Sequence, residues 1–271
     1  MRHLQLHPGR ALVSAALAAA LAIGLAGCNT TNSDVTGSIG SVRASADDNP
    51  RTDAEWRQSM EAWGARYRQD ESNVEAAIKY ARALRAIGQR AQAVAVLEQA
   101  AIRNPHNMPL LGEYGRALAA AGNLQQALDV LGRAHTPDNP DWRILNAQGA
   151  VLDQLGRHGE AQQHYTSALK LMPNEPSVLS NLGLSYLLTK DLKRAEATLR
   201  QALAQPGAEP KVRQNLALVV GLRGKFAEAE QIARQGLSAE EAAANVDYLR
   251  QVLAEHKRGN KSYVPPPNAG G

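Results

Sequence analysis

From Val74 onward the chain repeats itself every 34 residues. Units begin at Val74, Met108, Trp142, Pro176 and Pro210, with no insertion between them. The eighth place of the unit reads Ala81, Gly115, Gly149, Gly183 and Ala217. The twentieth reads Ala93, Ala127, Ala161, Ala195 and Ala229, and the twenty-seventh Ala100, Ala134, Ala168, Ala202 and Gly236. Larger side chains fill the eleventh place: Leu84, Leu118, Leu152, Tyr186 and Val220. Small residues at fixed places let two helices approach closely, and larger ones a turn away fill the gaps between them. Gly88, Gly122, Gly156 and Gly224 fall where a first helix must end and a second begin, and glycine supplies the left-handed backbone that ends a helix. Pro176 and Pro210 stand where a first turn has spare N–H groups. A fixed period of this length requires stacked supersecondary units, each too small to bury its own apolar face.

This pattern resembles the tetratricopeptide repeat. The expected fold is all-α: a right-handed superhelical solenoid of antiparallel helix pairs with a capping helix at each end. Two departures stand out. The fourth unit has Lys190-Asp191 in place of the turn glycine, and the closing proline of the second and fourth units is displaced to Pro140 and Pro206. Both are read as altered loops. Thr52-Asp53-Ala54-Glu55 reads as a capping box opening a helix to about Gln69. Trp56, Met60, Trp63 and Tyr67 give that helix one apolar face to cover the first repeat. After Ser238-Ala239-Glu240-Glu241, a second capping pattern, a closing helix is expected over Ala242 to Ala254.

Ahead of the repeats lies a short basic start at Arg2 and Arg10, an apolar run from Ala11 to Ala26, and then Cys28, the only cysteine. That is the layout of a secretory signal peptide, and the apolar run is shorter than the roughly 20 residues of a membrane span. Leu25-Ala26-Gly27-Cys28 resembles the lipobox of bacterial lipoproteins, which implies cleavage before Cys28 and lipid on its sulfur. A secreted chain with a chance cysteine is the alternative. Asn29, rather than Asp, follows the cysteine, and in such lipoproteins this implies the outer membrane. The expected organisation is a signal peptide over 1–27, a flexible tether with lipidated Cys28 over 28–52, the solenoid over 53–255 and a disordered tail over 256–271. Loss of Arg2 and Arg10 would lower the formal charge from +4 to +2, which makes no electrostatic case for nucleic acid.

The sequence holds no recognisable active site, and the expectation is a non-enzyme with no cofactor beyond the covalent lipid and no metal. Gly221 to Phe226 faintly echoes a phosphate loop, but its spacing is wrong and no Ser or Thr follows Lys225. His158 and His164, six apart, fall on different helix faces. What remains is a binding surface. In this architecture the first helix of each pair lines a groove, into which places two, five, six, nine and twelve face. Lys79, Arg82 and Arg116 stand there in the first two units, with Glu75 and Arg85 beside them. Arg143, Asn146 and Asp153 follow, then Ser180 and Asn181, then Lys211, Gln214 and Asn215. The cations favour an acidic segment or a chain terminus, with plain solvation of a charged face as the alternative. Asn181 and Asn215 recur at one mid-helix place. Their amides could take an extended peptide backbone or bond across neighbouring helices.

The stretches ALRAIGQRAQAVAVLEQAAIRNPHN, TPDNPDWRILNAQGAVLDQLGRHGEAQQHYTSALKL, SVLSNLGLSYLL and VRQNLALVVGLRGKFAEAE, followed by EEAAANVDYLRQVL, resemble the TadD-type tetratricopeptide lipoproteins of the tight-adherence (Flp) pilus system. The likeness runs from about Val74 to Leu253. Gly236-Leu237-Ser238 departs from it, where an acidic residue and prolines are expected. The resemblance implies an outer-membrane, periplasm-facing accessory of pilus export. It would act like a pilotin on the secretin pore or other pilus-assembly components, held by its lipid while the groove binds a segment of that partner. A general envelope-biogenesis lipoprotein is the alternative within this class, and a cell-wall hydrolase or lectin the alternative outside it.

Overall fold

The structure, a computed structural model, describes residues 52–261. The expected signal peptide, the lipidated Cys28, most of the tether and most of the tail lie outside the described residues. Twelve helices make up the described part, with a single isolated bridge between Thr136 and Asn139 in place of any strand. They form two compact bodies, residues 52–209 and 210–261.

The first body opens with α1 (Asp53–Gln69). Its capping box is formed as expected: the Glu55 N–H donates to Thr52 Oγ1 at 3.2 Å and the Thr52 N–H to Glu55 Oε2 at 2.8 Å. Met60 and Trp63 pack on the core of the first pair, and Tyr67 is buried with its ring 6.0 Å from that of Tyr80. Four helix pairs follow: α2 (Val74–Ala86) with α3 (Arg90–Arg103), α4 (Met108–Ala120) with α5 (Leu124–Gly132), α6 (Trp142–Gln154) with α7 (His158–Leu171), and α8 (Pro176–Leu188) with α9 (Leu192–Leu203). The first residue of each leading helix is the first residue of a sequence unit. The residue before it caps the helix. The side chains of Asn73, Asn107, Asp141 and Glu175 accept from the N–H groups of Ala76, Leu110, Arg143 and Ser177. Each satisfies a donor that the first turn would otherwise leave unpaired.

Two kinds of glycine serve different ends here. Gly149 lies so close to the Tyr165 ring that a Cβ would come within 2.6 Å of it. Gly115 and Gly183 stand in the same relation to Leu131 and Leu199. Their missing side chains set the distance between the two helices of a pair. Gly122, by contrast, has open space around it but a φ of +85°, so there the need is for conformation alone. In the fourth unit Lys190 takes this left-handed turn with φ 64°, and Asp191 then caps α9 by accepting from the Arg194 N–H. The altered loop keeps the geometry and changes only the residue.

The second unit differs more. Helix α5 has 9 residues where α3 and α7 have 14. Pro137 and Pro140 cannot donate to a helical ladder, and the chain closes instead on a turn in which the Asn139 N–H bonds Thr136.

The second body holds α10 (Pro210–Leu222), α11 (Phe226–Ala233) and α12 (Ala239–Lys261). Ser238 and Glu241 form a reciprocal capping box at the start of α12. That helix therefore begins ahead of the expected Ala242, because the capping residues count as its first turn. Gly221 of α10 makes room for Leu249 of α12.

Candidate functional site

Within the first body the leading helices of successive pairs touch one another, α2 with α4, α4 with α6 and α6 with α8, so they line its inner side. The basic residues expected there converge on a carboxylate. Arg82 Nη2 donates to Glu113 Oε1 at 2.6 Å, Arg116 Nη2 to the same oxygen at 3.3 Å, and Arg85 Nη1 to Glu113 Oε2 at 3.5 Å. The Glu113 side chain is 6% exposed. Burial pushes its carboxyl up, but the charge of Arg116, the hydrogen bond and charge of Arg82, and the charge of Arg85 together hold it down at about 2. Sequence reasoning passed over Glu113. The available signal was a lone acid at the sixth place of the second unit, facing Arg82 and Arg85 one unit earlier and Arg116 one turn later.

Arg82 and Arg116 share one oxygen of a single carboxylate, so the two guanidiniums together keep a formal charge of +1. Arg116 Nη1 is buried and has no hydrogen-bond partner among the described residues. The guanidinium lies beside Gly112, where a Cβ would stand 3.7 Å from Nη2 and 3.9 Å from Nη1. On the open side, the Arg82 side chain is 44% exposed.

The other expected groove residues are engaged differently. Lys79 pairs with Glu75 at 3.1 Å and lies 4.5 Å over the Trp63 ring, which Arg66 also covers. Arg143 turns back over Trp142 at 4.6 Å and toward Asp141, its own helix cap. Asn181 Nδ2 donates to Asn146 Oδ1 at 2.9 Å, with both amides buried. Of the two roles open to Asn181, the bond across neighbouring helices is the one formed. Lys211 and Asn215 stand half-buried on α10 of the second body, and neither is without an interaction.

Asp153 is a second meeting point. It accepts from Ser185 Oγ at 2.8 Å, from the Tyr165 hydroxyl at 3.0 Å and from His158 Nδ1–H at 2.9 Å. Burial first, and then Asp153, push the Tyr165 hydroxyl well above its ordinary value. Ser, His and Asp are thus brought together, but not as a nucleophile relay. A relay needs the imidazole between hydroxyl and carboxylate, whereas here Ser185 and His158 each donate to the carboxylate itself. The cluster ties α6 to α7 and α8. Among the described residues no three His, Cys, Asp or Glu side chains gather as metal ligands.

The tetratricopeptide-repeat family model matches residues 88–149 and 154–219. These stretches are tetratricopeptide repeats. The photosystem I assembly protein Ycf3 of Prochlorococcus marinus (strain NATL1A) is 30% identical over 84 residues, which is 30% of this chain and 49% of that protein. Ycf3 of Synechococcus sp. (strain WH7803) is 29% identical over 90 residues, or 32% and 52%. The chain thus spans about half the length of these relatives. A chain of the APC/C hetero-tetramer Cut9–Hcn1 is similar in structure with a TM-score of 0.62 and 17% identity, covering 75% of this chain and 40% of that one. A thermophilic tetratricopeptide-repeat protein of Thermus thermophilus has a TM-score of 0.56 and 21% identity, covering 62% and 91%. These two likenesses speak to the fold alone. The repeats match in fold, and the arginine cluster around Glu113 is a detail read from this chain.

Proposed function

We propose that the chain is a lipid-anchored, outer-membrane scaffold of the TadD type that supports assembly and export of the tight-adherence pilus. Its solenoid would dock a segment of the secretin complex or of another pilus component. Lipid on Cys28 would fix its location, the tether would give reach, and the repeats would bind. Confinement to one membrane raises the effective concentration of the partner, so individual contacts can be weak. The observation that carries the binding part is the arginine cluster of net positive charge on the inner side of the repeats, with Arg82 at its open side. The lipobox and the quoted stretches support the anchoring and the pilus assignment.

In cells, Cys28→Ser is expected to abolish acylation and to release the protein from outer-membrane fractions. Unchanged fractionation would overturn the anchor. Crosslinking of the acylated protein is expected to capture secretin or pilus-assembly components. Capture of cell-wall synthases or outer-membrane insertion factors instead would favour the second reading, a general envelope-biogenesis lipoprotein. Genes for a secretin, a pilus ATPase and prepilins beside this one would favour the first.

A further inference from the structure

Two histidines meet where the second unit gives way to the third. Residues 133–141, between α5 and α6, form no helix and carry His135. His164 lies midway along α7. Both side chains are half-buried, and in each the Nδ1 atom is shut off from water with no hydrogen-bond partner among the described residues. The two lie close enough for the charge of one to act on the other. A neutral imidazole tolerates such a place, because one of its nitrogens needs no acceptor. The charged form has two N–H groups and needs an acceptor for each, and a buried N–H without one is costly.

The surrounding charged groups are engaged elsewhere. On α7 itself, Glu160 holds Arg157 with both oxygens, at 2.7 and 2.6 Å, and Lys170 is in the last turn. Asp153 of α6 accepts from Ser185, Tyr165 and His158, and Arg143 lies over Trp142. Asp129 of α5 accepts from Gln125, and α8 contains no charged residue. In the connection, Arg133 donates to the Pro105 carbonyl, Asp138 is exposed and Asp141 caps α6. Burial first, and then the charge of His135, hold His164 below its ordinary value of 6.5, against a smaller upward pull from Glu160.

We propose that His135 and His164 form an acid-sensitive latch between the second and third units. Neutral, they pack the connection against α7; charged, they repel each other and release it. Ala134 is buried in the core and Asp141 caps α6. Between these two fixed points the Thr136–Asn139 turn bonds only within itself, so the connection can move while both helices stay folded. Each unit of a solenoid is placed by its contact with the one before, so release loosens how the third unit follows the second. An imidazole with a depressed folded value costs nothing above its unfolded value, and the penalty grows as pH falls below it. The latch is therefore closed at neutral pH and opens from about pH 6.5 downward, above the range in which Glu113 titrates.

The test follows the full chain by NMR from about pH 7.5 to about pH 5, the range in which histidine changes charge. Imidazole signals report the titration. A nitroxide on Asp138→Cys, in a Cys28→Ser chain so that it is the only thiol, broadens the α7 amides near it and reports the position of the connection. His164 should titrate below 6.5, and the broadening should fall severalfold over the same range. In His164→Gln, which cannot be charged, the broadening should stay constant. A His164 titration at or above the ordinary value, a constant broadening in the parent chain, or an equal fall in His164→Gln would overturn the proposal. Should His164→Gln not fold, His135→Gln decides. Loss of the second charge should raise the His164 titration and reduce the fall in broadening, and no change in either would overturn the latch. None of these readouts depends on which partner the repeats bind.

Discussion

The amide of Asn181 on α8 donates to Asn146 Oδ1 on α6 at 2.9 Å, with both side chains buried. The bond joins the inner helices of two successive pairs, and it accounts for an asparagine in the middle of a helix, where that residue is a poor former. Asn181→Ala would leave the Asn146 oxygen buried and unpaired, a loss of about 1–3 kcal/mol. Asn146→Ala should cost a similar amount, and the double variant less than the sum of the two. Urea denaturation of the three variants measures this. Additive costs would mean that the two amides do not act as a pair.

Glu113 makes a prediction about acid. Its carboxyl titrates near 2 in the folded protein against an ordinary value of 4.5. A depressed folded value gives stability that is fully present above the unfolded value and is lost as pH falls through the folded one. Between about pH 4.5 and pH 2 the protein should therefore lose about 3 kcal/mol from this group. In Glu113→Gln that acid-dependent contribution should be absent, although the variant starts less stable at neutral pH. An acid limb of the stability curve that is the same in both proteins would remove Glu113 from the account.

The sequence was most legible where a local rule decides the outcome. The period placed Val74, Met108, Trp142 and Pro176 at the first residue of their helices, and the capping boxes at Thr52 and Ser238 are formed. Glu113 was hard to read because two of its three partners, Arg82 and Arg85, lie one unit away and depend on how adjacent helices pack, whereas Arg116 is one turn along the same helix. Arg143 shows the same limit. Its place in the unit points inward, yet the Trp142 face and the Asp141 carboxylate beside it hold the guanidinium at the helix start. The capping column Asn73, Asn107, Asp141 and Glu175 was open to reading, and it lies one residue ahead of each unit.

Close approach at the glycines separates two mechanisms by mutation. Gly149→Ala puts a methyl group about where the Tyr165 ring lies, 2.6 Å from its Cε1. Overpacking of this kind costs about 1–3 kcal/mol. Shortening the neighbour with Tyr165→Leu should recover part of that loss, so the two substitutions together should cost less than the sum. Gly122→Ala meets no atom within 4 Å and suffers only from its φ of +85°, at about 1–2 kcal/mol. No change of neighbour should recover it. Thermal denaturation of both series distinguishes a packing cost from a backbone cost.

Lys190 provides the reverse experiment. It holds φ at 64° in the turn where the other described pairs place glycine, and a residue with a Cβ is strained there by about 1–2 kcal/mol. Lys190→Gly removes that strain from the folded state. It also frees the unfolded chain, which offsets about 0.4–1 kcal/mol of the gain. The net expectation is a stabilisation of roughly 0.5–1 kcal/mol, from the difference of those two effects, with no change in the Arg194 N–H bond to Asp191 that starts α9. The urea midpoint should rise while the slope of the transition stays constant, since the surface exposed on unfolding is unaltered. A midpoint that falls would mean that the lysine side chain contributes more to this turn than its backbone costs.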